Sequence, residues 1–352
     1  MKDKILNEEF RDIKEPKSHK KSKILISLIT TLAIIATTTL LIGYFKFDSS
    51  LYQANYFAEK KEINSKKGFT NGVSETIKLR SASTSYEYLD YNYSTKKFVK
   101  KTCSNPSSIT GSERYLRNGW YVVSSYVLSK YRIEINGKVN IILCDGYKWE
   151  ALSGLNVQSG NELIIYGQNG GTGELLANVN GKYEAAIGGG ENQNVGNITI
   201  NGGKVYSHSY GGSSAAGIGG GTYGKGGKVT INGGFVEAYS YDGAGIGGGV
   251  YGTCGTTIIN GGEINTESSY GAGIGGGAAK PGGSVSIYGG KVTAQSSYGT
   301  GIGAGCNNKE NGILKIGSGV TLYGGNSESS LKVLAKVATE NVTSRAKYMK
   351  VN

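Results

Sequence analysis

Residues Ile246 to Gly273 read IGGGVYGTCGTTIINGGEINTESSYGAG, and Ile274 begins the same phrase again. The motif Ile-Gly-Gly-Gly starts at Ile187, Ile218, Ile246 and Ile274, with a degraded copy, Ile-Gly-Ala-Gly, at Ile302; the spacings are 31, 28, 28 and 28. Fourteen residues after each of the first four Ile comes a second motif: Asn201-Gly-Gly, Asn232-Gly-Gly, Asn260-Gly-Gly and Tyr288-Gly-Gly. Apolar residues alternate before it, at Ile198/Ile200, Val229/Ile231, Val285/Ile287 and Leu314/Ile316. A β-branched residue follows it, at Val205, Val236, Ile264 and Val292. The period-2 pattern indicates strands, and Gly at this density opposes a helix at about 1 kcal/mol per residue relative to Ala. Short strands recurring every 28 residues cannot bury their apolar sides singly and must stack as a solenoid. The expectation is an all-β parallel β-helix with one three-sided coil per repeat. Ile187, Ile218, Ile246, Ile274 and Ile302 would form an internal ladder, and Asn201, Asn232 and Asn260 an amide ladder at a corner.

Less regular coils with the same grammar run upstream from Trp120, through residues 131–137, 139–146 and 163–167. The solenoid is therefore expected over residues 118–326. Residues 327–352 lack the repeat and are expected to cap it, with Leu331, Val333, Leu334 and Val337 over the last open coil.

The chain has 352 residues, 58 of them Gly, with 3 Pro, 2 His and a formal charge of +12. Three Pro and no Gly-X-Y register exclude collagen. Twenty-five Tyr and regular Ile and Val argue against Gly-rich disorder. The charge is unevenly placed. Residues 134–326 carry 10 Lys/Arg against 12 Asp/Glu, whereas residues 46–133 carry 15 against 7. The slightly acidic solenoid is a poor track for nucleic acid, and no nucleic-acid partner is expected.

Ile24 to Phe45 is an uncharged, mostly apolar run, long enough to cross about 30 Å of hydrocarbon as a helix. Six cations (Arg11, Lys14, Lys17, Lys20, Lys21, Lys23) precede it within 15 residues and two (Lys46, Lys60) follow it. The positive-inside rule places the N-terminus in the cytoplasm and the body outside. The expected order is a basic cytoplasmic tail (1–23), a single-pass transmembrane signal anchor (24–45), a basic stalk with a few strands toward its end (46–117), the solenoid and the cap. A cleaved signal peptide is the alternative; both export the body. Cys103, Cys144, Cys254 and Cys306 show no zinc-site spacing, and Cys254 and Cys306 lie two coils apart, too far for a disulfide.

Gly243-x-Gly-x-x-Gly248 matches a dinucleotide fingerprint only in letters, because no helical pattern follows. Glu237 and Glu267 could share a face of adjacent coils, as paired carboxylates do in glycoside hydrolysis. Asp242 is the one Asp within residues 185–326, which leaves Ca²⁺ binding without its usual ligands; no cofactor is expected. Tyr223 and Tyr251 lie 28 apart, as do Tyr270 and Tyr298. Stacking would set each pair on neighbouring coils, as platforms for the apolar C–H faces of sugar rings, or as turn residues packing on one another for stability.

The phrases Gly119-Trp-Tyr-Val-Val123, Ile141-Ile-Leu-Cys-Asp-Gly146, Leu163-Ile-Ile-Tyr-Gly-Gln168, Ala185-Ala-Ile-Gly-Gly-Gly190 and Ile198-Thr-Ile-Asn-Gly-Gly203 resemble a group of bacterial surface proteins with Gly-rich GIGGG/ITINGG repeats, often labelled carbohydrate-binding-domain proteins. The resemblance spans roughly residues 86–326. It implies a right-handed parallel β-helix, cell-surface display, and adhesion or binding to polysaccharide or cell-wall glycan, in some similar proteins with Ca²⁺. The shortage of Asp here departs from that Ca²⁺ pattern. The leading expectation is a membrane-anchored, non-catalytic glycan binder. A spacer or adhesin against protein or anionic cell wall, and a polysaccharide lyase or hydrolase, are the alternatives.

Overall fold

Coil stacks on coil in strict register. The computed structural model describes residues 84–352 except 182, 211–213, 337–341 and 343. The span expected at residues 24–45 lies outside the described residues, as do the tail 1–23 and residues 46–83. No helix among those described is long and apolar enough to cross a membrane.

Each Gly-rich coil contributes one strand to each of three faces. The first face stacks the two-residue strands Ile187–Gly188, Ile218–Gly219, Ile246–Gly247, Ile274–Gly275 and Ile302–Gly303, all parallel. The second stacks Asn197–Ile200, Lys228–Ile231, Thr256–Ile259, Ser284–Ile287 and Ile313–Ile316. The third stacks Lys204–Ser209, Phe235–Ser240, Glu263–Ser268 and Lys291–Ser296. The structure is thus a parallel β-solenoid. Its core is one continuous column holding all five ladder Ile together with Val205, Val236, Ile264 and Val292.

The Gly triplets have a steric cause. Gly247 sits at φ +140°, and a Cβ there would fall on the carbonyl oxygen of Gly275 in the next coil. At Gly249, a Cβ would fall on the Gly221 carbonyl of the coil before. The backbone of one coil occupies the space that side chains would need in the next.

Upstream, Ile133–Leu143 is one long strand that pairs with both Leu155–Asn156 and Glu162–Gly167, so it turns from the first face onto the second. Tyr115–Val123 pairs alongside it in parallel. The early coils are wider and enclose Trp149, whose indole N–H donates to Ser129 Oγ at 2.9 Å. Arg132 is 12 % exposed and donates to the carbonyl oxygens of Ser153 and Ala185 at 3.0 and 2.9 Å. It thereby ties adjacent coils together.

An antiparallel hairpin, Ser85–Asn92 with Lys97–Ser104, lies against the outside of the second face. Tyr88 packs on Trp120 and Tyr166, each at 4.8 Å between ring centroids. Cys103 and Cys144 are buried in this second apolar cluster with Val122, Ile142 and Ile164. The runs VNIIL (139–143) and LIIY (163–166) lack alternation because both their sides are covered, which is the pattern of a doubly buried strand.

The far end is closed differently from expectation. Tyr348–Val351 runs antiparallel beside Lys291–Ser296, and Leu322–Gly325 pairs beyond it. Met349, Val351 and Leu322 are fully buried, whereas Val333 and Leu334 are exposed and Leu331 is only partly covered. The closing strand comes from the end of the chain, where its alternating YMKV aligns with the edge of the third face. Val337 lies outside the described residues.

Candidate functional site

The turns before and after each Ile-Gly-Gly-Gly run together on one side of the solenoid. Backbone bonds join them between coils: Ala278 N–H donates to Asp242 O, and Cys306 N–H to Tyr270 O. Both Tyr pairs sit on these turns. Tyr223 and Tyr251 stack at 5.3 Å between centroids with 15° between planes. Tyr270 and Tyr298 stack at 4.7 Å and 16°. Tyr241 extends the second pair into a row of three, edge-on to Tyr270 at 5.5 Å. Because stacked rings cover one face of each partner, the row offers its edges along its length and an open face only at its end. That open face is on Tyr298, 61 % exposed, with Lys347 Nζ 5.9 Å from the ring centroid.

The first pair has an unusual backbone. Asn192, Tyr223, Tyr251, Ala279 and Asn307 occupy the same position of successive coils, and all have φ between 57° and 63°. The left-handed region suits Asn and Gly, and costs other residues roughly 1–2 kcal/mol. The turn is held by Tyr223 N–H donating to Val250 O and Ala279 N–H to Cys306 O. Tyr at this position is an expensive choice twice over.

The Ile ladder pairs residue for residue across all five coils and is buried throughout. In the amide ladder, Asn260 Nδ2 donates to Asn232 Oδ1 and Asn232 Nδ2 to Asn201 Oδ1, each at 2.7 Å. The hairpin reaches this ladder too: Asn201 Nδ2 donates to Asp90 Oδ1 and Asn232 Nδ2 to Tyr93 Oη. A further ladder escaped the sequence reading. Ser209, Ser240, Ser268 and Ser296 pair in register, are buried, and donate to carbonyl oxygens of Ala216, Ala215, Gly243 and Gly271 at 2.6–2.9 Å. Their spacings of 31, 28 and 28 repeat those of the Ile and were the available signal.

Glu237 and Glu267 both face a groove on the third face. Each carboxylate already has a partner there. His208 Nε2 lies 2.9 Å from Glu237 Oε1, with Tyr210 Oη 2.7 Å from the other ring nitrogen, and Gln295 Nε2 donates to Glu267 Oε2 at 3.0 Å. No group of three His, Cys, Asp or Glu among the described residues is gathered to hold a metal. All four cysteines are free thiols. Burial pushes the Cys254 thiol up to about 12 and the Cys144 thiol up to about 11.

Four segments, residues 198–222, 229–250, 258–278 and 285–306, match a family model described as a beta helix repeat. The chain is a parallel β-helix repeat protein. The matched segments are the Gly-rich coils themselves, each running from the second face to the turn after Ile-Gly-Gly-Gly or its degraded copy. No curated protein matches the chain, and no solved structure does.

Proposed function

We propose that this β-helix is displayed outside the cell on a membrane anchor at residues 24–45 and binds polysaccharide without cleaving it. One observation carries the reading: aromatic residues are kept, stacked and about half exposed, on turn positions where the backbone favours Asn or Gly. Strain retained at an exposed site points toward use rather than packing. Tyr rings offer flat apolar faces with a polar hydroxyl edge, suited to a pyranose ring with its C–H face and equatorial hydroxyls. The cationic flank before the apolar run, and its absence after it, support export of the body.

Binding of the full chain to a glycan array tests this. A set of related glycans is expected to bind, and Tyr223, Tyr251, Tyr270 and Tyr298 changed to Ala are expected to abolish the signal. Silence across the array, or binding unchanged in the Tyr variant, would remove the reading. A second reading, a spacer held against anionic cell-wall polymer, has exposed Lys96 and Lys97 at the hairpin turn in its favour. Such binding would weaken with salt; salt-insensitive wall association would count against it.

A further inference from the structure

The turn row ends in a charged cavity. A space of about 340 Å³ lies against Tyr298 and is lined also by Asn308, Lys309, Arg345 and Lys347. No carboxylate lines it; Asp242 and Glu310, the acidic residues of the neighbouring turns, do not reach it. Lys309, Arg345 and Lys347 are exposed. The Arg345 guanidinium is oriented by donating to the Asn308 carbonyl, and Lys347 stands over the Tyr298 ring. Among the described residues, no ion pair engages any of the three cations. They come from two parts of the chain, the last Gly-rich turn and the closing segment, and converge on the open end of the Tyr row.

The volume is at the lower end of small-molecule sites, which run from about 300 to 1,000 Å³. It suits one or two sugar residues. A ring laid on Tyr298 would direct its substituents toward three cations. From this we infer that the cavity selects an acidic sugar, a pyranose carrying a carboxylate or phosphate, over its neutral counterpart. The inference rests on the glycan reading above and names the substrate class of the same row. Charge-assisted bonds from Arg and Lys to a carboxylate are about twice as strong as neutral ones. Removing the anion, or two of the cations, should therefore cost about tenfold in affinity.

Calorimetric titration of the full chain with trigalacturonate, its methyl ester and mannose 6-phosphate tests it. Trigalacturonate is expected to bind about tenfold tighter than the ester; comparable preference for mannose 6-phosphate would extend the class to phosphate, and none would confine it to carboxylate. The pair Arg345→Gln and Lys347→Gln should erase the preference and leave ester binding unchanged, while Tyr298→Ala weakens both. If Arg345→Gln loosens the turn, seen as a lowered melting temperature, Lys309→Gln with Lys347→Gln carries the same test on exposed side chains. Equal affinity for acid and ester overturns the inference and leaves the glycan reading standing. So does a preference for the acid that survives loss of the cations. Binding of no sugar in any arm, with a silent array, overturns both.

Discussion

Tyr223 and Tyr298 each stack on one neighbour, but only Tyr223 sits at positive φ. The change to Asn therefore separates strain from stacking. Both variants lose a stack worth roughly 0.5–1.5 kcal/mol, and Tyr223→Asn alone relieves the left-handed backbone. Urea unfolding should find Tyr223→Asn the more stable of the two by about 1 kcal/mol. An equal or larger loss at Tyr223 would mean that the ring is held for packing. The thiols make a second prediction at this scale. Cys254 is fully buried with its thiol pushed up to about 12, so it stays protonated and shielded at pH 8. Cys306 is partly exposed. A thiol-alkylating reagent should label Cys306 in the native chain and reach Cys254 only on unfolding; early labelling at Cys254 would show that the coil around it opens.

Among elements, the ladders carry the coil-to-coil order. Ile246→Ala leaves a void in the middle of the first-face ladder and should cost about 2–5 kcal/mol. Asn232→Ala strands the amide of Asn260 and the carbonyl oxygen of Asn201, and should cost about 1–3 kcal/mol. Both are measured by denaturant unfolding. A loss below about 0.5 kcal/mol at Asn232 would mean that water replaces the ladder bonds. The Ile and Asn ladders were legible in the sequence because a solenoid converts a fixed spacing directly into contact. The Tyr pairs were legible for the same reason, but their backbone was not: φ at position 223 depends on the closure of the turn, and Tyr itself signals the opposite. The hairpin was not foreseen as a cover for the second face, although the unbroken apolar runs at 139–143 and 163–166 required one. The cavity at Tyr298 joins Lys309 to Arg345 and Lys347 across a non-repeating segment, where spacing carries no information.

Taken whole, the molecule is a stack whose stability is the sum of neighbouring coil interfaces, and its weak point is an open end. Tyr348–Val351 protects the edge of Lys291–Ser296 by antiparallel pairing. Removing residues 346–352 should expose that edge and lead to concentration-dependent self-association, visible by light scattering; a strictly monomeric truncated chain would contradict this role. The same segment supplies Arg345 and Lys347 to the cavity, so the cap that ends the solenoid also finishes the proposed site. A crystal structure of the protein with an acidic oligosaccharide from the binding screen tests the central claim most directly. The account predicts a pyranose ring lying on the open face of Tyr298, with its anionic group turned toward Arg345 and Lys347. A sugar seated instead in the groove beside His208 and Glu237, with Tyr298 bare, would contradict it.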